Sequence, residues 1–284
     1  LLSVLDYTVT SLGGRRLREW LLNPLLEAAA IEQRQDAVAQ FMADHKMRAE
    51  LRSVLEGVYD LERLISRASL GAANGRDLLA LKQSFAILPR VEVLISGCTG
   101  RMLEGLAGQW DPLPDLTGLL ERSLAEDPPF SLREGRLIKR GYHAELDALR
   151  SLSTEGKSWI AGIEQRERQR TGIGSLKVSY NKVFGYFIEV TKANLDSVPA
   201  DFIRKQTLAN AERFITPELK EYEEKVLGAE EKILDLEYRL FQEVRERVAK
   251  ETVRIQETAR NVAVLDCIAS LAEPCVSNSN YGYF

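Results

Sequence analysis

Six cations fall between Thr171 and Thr216: Lys177, Lys182, Lys192, Arg204, Lys205 and Arg213. The same stretch holds four acids, Glu189, Asp196, Asp201 and Glu212, so it is locally positive in a chain of formal net charge −4. Asn181-Lys182 reads as a turn between two strand-like runs. Arg204-Lys205-Gln206-Thr207 with Ala209-Asn210 is expected to place further donors at the same end. Side chains of these types contact phosphate oxygens without reading bases. The chemistry on offer is holding a polyanion by its backbone. A merely soluble sheet surface fits the same composition.

Catalysis finds little support. The chain has no G-x-x-x-x-G-K-[ST] loop to cradle a nucleotide, and Gly13-Gly14-Arg15-Arg16 lies inside a helical pattern rather than a dinucleotide turn. No nucleophile stands with a His in a catalytic pattern, and His45 and His143 are isolated on amphipathic helical stretches. Cys98, Cys267 and Cys275 lack metal-ligand spacing and read as reduced thiols of a cytosolic protein. Glu223-Glu224 and Glu230-Glu231 read as a solvated outer helix face. No cofactor or metal site is expected. No apolar run approaches the roughly 20 residues of a membrane span, and the N-terminus lacks signal-peptide character.

The elements that must position the cationic stretch are unlike it. Within 171–216, Leu176, Val178 and Tyr180 alternate with Lys177, Ser179 and Asn181, and Phe187, Glu189 and Thr191 alternate with Ile188 and Val190. That period of two predicts half-buried strands. Tyr180, Phe184, Tyr186 and Phe187 are expected to fill the small sheet's core. Residues 1–130 read as a helical core. Its segments include 51–70, which closes on Gly71, and a helix that Asn74 caps and that runs toward Pro89. From Ser131-Leu132-Arg133-Glu134, which has the form of a capping box, a helical pattern runs over 131–170. A helix of roughly 38 residues is about 57 Å long. Its seam is Leu132, Ile138, Tyr142, Leu146, Leu149, Leu152, Ile160 and Ile163, with bends expected at Gly135, Gly141, Gly156 and Gly162.

Thr216-Pro217-Glu218 opens a return arm over 217–260: an N-cap, a proline at the first helical position and an acid in the first turn. Leu219, Val226, Ile233 and Leu240 recur every seven residues, with Tyr222, Ala229 and Leu236 interleaved. The apolar run 262–272 is expected to return to the core within 261–284. The fold expected is mainly α: a helical core, two long antiparallel arms, and a small antiparallel β insert at 171–216 between their ends. A start on Leu1 without methionine and an end on SNSNYGYF carry the expectation of a piece of a longer protein.

LKVSYNKVFGYFIEVTK, followed by RKQTLANAERFITPELKEYEEKVL, closely resembles the clamp region of the bacterial MutS family of DNA mismatch-repair proteins. LLSVLDYTVTSLGGRRLREWLLNPL resembles the start of that family's core, or lever, domain. EAAAIEQRQDAVAQF and VAVLDCIASLAE match in order, so the resemblance covers nearly the whole chain. It implies a lever and clamp that hold double-stranded DNA without sequence preference. It further implies a cytoplasmic homodimer signalling to a downstream repair partner, with mismatch reading upstream and an ATPase using ATP and Mg beyond residue 284. SNSNYGYF departs from the family's Asn-Tyr-x-Arg-Pro entry to that ATPase. Carried over by motif, Asn181, Lys182, Arg204, Lys205, Gln206 and Asn210 are the implied phosphate contacts. Arg213 is a further candidate, with pairing to Glu212 or capping of the arm as its alternatives. The competing reading from another class is a coiled-coil scaffold whose β tip is a protein dimerisation hinge.

Overall fold

In the computed structural model, which describes residues 1–181 and 183–277, the chain is mainly helical with one four-stranded antiparallel sheet. It divides into two compact units. One comprises residues 1–132, 136–139 and 240 onward; the other comprises 133–135 and 140–239.

The first unit is all helix: α1 (Leu2–Leu5), α2 (Ser11–Leu22), α3 (Ala28–Ala43), α4 (His45–Leu55), α5 (Leu61–Ser69), α6 (Gly75–Ile95), α7 (Arg101–Gly108) and α8 (Pro114–Ser123). Local chemistry sets several of these boundaries. Thr10 caps α2 by accepting from Gly13 N, and Asn74 forms a full capping box with Asp77 on α6. Helix α5 ends in a Schellman turn: Gly71 has φ +70°, Gly71 N donates to Ala68 O, and Ala72 N donates to Arg67 O. The single helix read over 51–70 is two helices, because Gly57 turns the chain against Ile87 and Asp60 caps a fresh start through Arg63 N. Pro89 does not stop α6. Leu88, Val91 and Ile95 are buried around it, and that burial outweighs the one backbone bond proline forfeits.

The expected 38-residue outgoing helix is shorter. Helix α9 spans Ala144–Thr171, and residues 131–143 are irregular. Gly135 (φ +73°), Arg136 (φ +58°) and Gly141 (φ +84°) occupy left-handed backbone that no α-helix accommodates. Ile138 instead bridges to Leu124, with Leu137 and Ile138 buried in the first unit. Leu132, Ile138 and Tyr142 therefore leave the seam, and Leu152 faces solvent. The return arm is α10 (Pro217–Lys250), capped as expected by Thr216 Oγ1 accepting from Leu219 N at 3.1 Å. A break at Glu251 separates it from α11 (Thr252–Ser277), so 217–260 is not one helix. Helix α11 is the first unit's central element, packing on α2, α3, α4 and α5 with Val262, Leu265 and Ile268 fully buried.

In the second unit, β1 (Lys177–Asn181), β2 (Gly185–Thr191), β3 (Ile203–Thr207) and β4 (Ala211–Ile215) form a sheet of order β1-β2-β4-β3. One face carries Val178, Ile188 and Phe214 in register and packs on Ile160 and Ile163 of α9 and on Leu219 and Val226 of α10. The two helices meet where Gly156 of α9 abuts Val226, leaving no space for a β-carbon. One turn farther along α9, the Trp159 and Tyr222 rings stack at 3.4 Å between centroids, 11° from parallel. Gly156 thus serves close approach rather than a bend.

Candidate nucleic-acid interface

The charged end of α9 binds the sheet and the loop before β3. Glu164 Oε2 accepts from Val178 N at 3.0 Å, Arg168 Nε donates to Leu176 O at 2.7 Å, and Arg170 pairs with Asp201 at 3.0 Å. That last pair holds the Asp201 carboxyl below the usual carboxylate range. On α10, Glu223 is 4% exposed. Its carboxylate accepts from Tyr186 N at 2.7 Å and from Lys220 Nζ at 2.6 Å, which anchors the start of β2. The expectation that Glu223 lay on an outer solvated face is wrong. A carboxylate is buried here because two donors compensate its desolvation.

The sheet's outer face carries a row in register across all four strands: Lys177, Glu189, Arg213 and Gln206. Arg213 Nε donates to Glu189 at 3.0 Å and Nη1 to Gln206 Oε1 at 2.9 Å, and the guanidinium lies 4.2 Å over the Phe187 ring. Phe187 is therefore buried on the outer face, under Arg213, and not in the helix-facing core. Arg213 pairs with Glu189, not with Glu212, and does not cap the arm. Arg204 Nε lies 2.7 Å from Glu212 Oε2, an ion-pair distance without hydrogen-bond alignment, to a buried carboxylate on β4. Arg204, Gln206 and Arg213 thus have partners inside the sheet.

The remaining donors are more available. A bulge between Arg204 and Gln206 holds Lys205, which is exposed and has no ion-pair partner among the described residues. Asn210 is exposed in the β3–β4 turn, where its carbonyl accepts from Lys192 N at 3.1 Å. Asn181 closes β1, its Oδ1 accepting from Val183 N at 2.8 Å. Lys182 lies outside the described residues.

These donors do not share one end. Asn181 pairs with Gly185 at one end of the β1–β2 hairpin, while Thr191 pairs with Ala211, next to Asn210, at the other. The six steps from Gly185 to Thr191 span about 20 Å at about 3.4 Å per residue. The cause is strand order: β4 pairs antiparallel with β2, which sends the β3–β4 turn away from the β1–β2 turn. Lys177 and Lys192, both exposed and without an ion pair among the described residues, join Asn210 at that second end. Sequence reasoning counted these two lysines without making them contacts; only the pairing order would have singled them out.

The family model described as MutS domain III matches residues 1–272. The chain belongs to that family. The DNA mismatch repair protein MutS of Symbiobacterium thermophilum is 53% identical over 283 residues, covering 100% of this chain and 32% of that protein. MutS of Halothermothrix orenii is 52% identical over 273 residues, covering 96% of this chain and 30% of that protein. MutS of Myxococcus xanthus is 53% identical over 283 residues, with 100% and 31% covered. The chain spans about a third of the length of the curated MutS relatives it matches. Within this MutS domain III chain, Lys177, Lys192 and Lys205, without ion pairs among the described residues, all belong to the β insert between α9 and α10. Among the described residues no helix is long and apolar enough to cross a membrane.

Proposed function

We propose that this chain is the lever and clamp of a DNA mismatch-repair protein, and that its β insert holds duplex DNA by the phosphate backbone without sequence preference. The observation that carries the reading is the set of exposed donors on one small β insert: Lys177, Lys192 and Lys205, which have no ion pair among the described residues, and Asn210, with the half-buried Asn181 at the opposite hairpin end. Lysine and amide donors of this kind satisfy phosphates, and contacts to phosphate carry no sequence information. The names of the relatives add the pathway: they are mismatch repair proteins.

The chain acts without catalysis of its own. ATP and Mg would bind elsewhere in a protein of the relatives' length, since these residues contain no phosphate loop. In that cytoplasmic protein, which would be a homodimer answering to a downstream repair partner, α9 and α10 would carry the state of the ATPase to the sheet. The contacts of Glu164, Arg168 and Glu223 with the strands support that coupling, because they tie strand backbone to helix side chains.

Titrating the chain with duplexes of unrelated sequence across a salt series tests the reading. Binding should be equal among sequences and fall log-linearly with salt, by about 0.9 in slope per phosphate contact. Salt-independent binding, or dimers formed through the β tip without DNA, would favour the protein hinge instead.

A further inference from the structure

The β1–β2 hairpin end carries a feature that phosphate holding does not use. Tyr180, Val183 and Phe184 are 49%, 80% and 44% exposed. Tyr180 and Phe184 do not fill the sheet core as their types suggested. Large apolar side chains left together in water mark a surface awaiting a partner. The support beneath them is fixed: Asn181 Oδ1 holds Val183 N, Gly185 turns at φ +75°, and Tyr186 N is anchored by Glu223. Tyr186 packs on the second unit's core, and the Tyr180 ring rests on it at 5.0 Å, tilted by 54°. The rings are therefore presented by a braced turn.

We propose that this hairpin end is a stacking surface for unpaired nucleotide bases, with Tyr180 and Phe184 as its two platforms. The proposal rests on the backbone-holding reading and adds a ligand class to it: gapped or single-stranded DNA. Residues 180–186, YNKVFGY, contain a lysine and no acid, and the same insert bears Lys205 and, toward its other end, Lys177 and Lys192, all three exposed and without an ion pair among the described residues. An aromatic tip on the same small insert as phosphate donors, with its one neighbouring acid, Glu223, buried and paired with Lys220, complements a polyanion with π-faces. Every base has such a face, so stacking is tolerant of sequence. An intact duplex keeps its base faces stacked inside, and only unpaired bases offer them.

The test uses the intact chain, a duplex, and the same duplex with a short central gap carrying 2-aminopurine. The wild type should prefer the gapped DNA and quench the probe. Tyr180→Ala and Phe184→Ala should each weaken gapped binding about 5- to 100-fold, leaving duplex binding and its salt slope unchanged. Tyr180→Phe, which keeps the ring, should retain the preference. Absence of quenching, or equal losses on both DNAs, overturns the proposal. So does an alanine variant that loses self-association while keeping gapped binding, which assigns the tip to protein docking. Salt-independent duplex binding sinks the backbone reading instead, and the quench alone then decides the hairpin.

Discussion

Gly185 of β2 lies against the carboxylate of Glu223 on α10, with no room between them for a side chain. A β-carbon at 185 would stand 2.6 Å from Glu223 Cδ, and the residue has φ +75°. Gly185→Ala thus meets two obstacles, left-handed backbone and a buried carboxylate that already accepts from Tyr186 N. It should destabilise the second unit by about 1–3 kcal/mol in chemical denaturation. Combined with Glu223→Ala, the losses should be less than additive, because the alanine at 223 removes the clash. Additive losses would mean that the two residues do not act as one latch.

Gly156 gives a case where two effects oppose each other. Helix propensity alone favours Gly156→Ala by about 1 kcal/mol. The abutting Val226 side chain opposes it, since overpacking costs about 1–3 kcal/mol. The packing term should win, and the variant should unfold at lower denaturant concentration than the wild type. A gain in stability would place α9 and α10 farther apart than described.

Arg213 and Lys205 are neighbours on the sheet with different work. Arg213 has Glu189, Gln206 and the Phe187 ring as partners, whereas Lys205 has no ion-pair partner among the described residues. Arg213→Ala should cost about 1–3 kcal/mol of stability through lost charged hydrogen bonds and an uncovered ring. Lys205→Ala should stay within about 0.5 kcal/mol while weakening DNA binding. Denaturation and binding measured on both variants check this separation.

Asp266 of α11 supplies a pH-dependent element in the first unit. Fully buried, it accepts from Val9 N, Thr10 N and Thr10 Oγ1, and burial pushes its carboxyl above the usual range despite those bonds. A carboxyl raised in the folded state contributes stability that is present at acid pH and lost as pH rises through its folded pKa. The wild-type margin over Asp266→Asn should therefore narrow as pH climbs through the carboxylate range and beyond. Denaturation midpoints across pH measure it; a margin that widens contradicts the account.

How much of this was written in the sequence depends on the element. Thr216-Pro217 and Asn74 announced their helix starts because capping is local chemistry. The alternation around Val178 and Ile188 announced strands because one sheet face must be buried. Residues 131–143 misled, since Leu132, Ile138 and Tyr142 fit a helical stripe while Ile138 is buried beside Leu124 in the first unit. Glu223 misled because a buried carboxylate and a solvated one are the same letter. The grouping of Asn181 with Asn210 failed because strand order is a long-range property that period-two alternation does not encode.

The central claim is that cations on the insert hold the DNA backbone. The most direct measurement is the salt dependence of duplex binding by Lys182→Glu with Lys205→Glu in the intact chain. If both lysines neutralise phosphates, the slope of log affinity against log salt should shrink by about 1.8, with the fold unchanged by circular dichroism. A folded double variant with the wild-type slope would contradict the account.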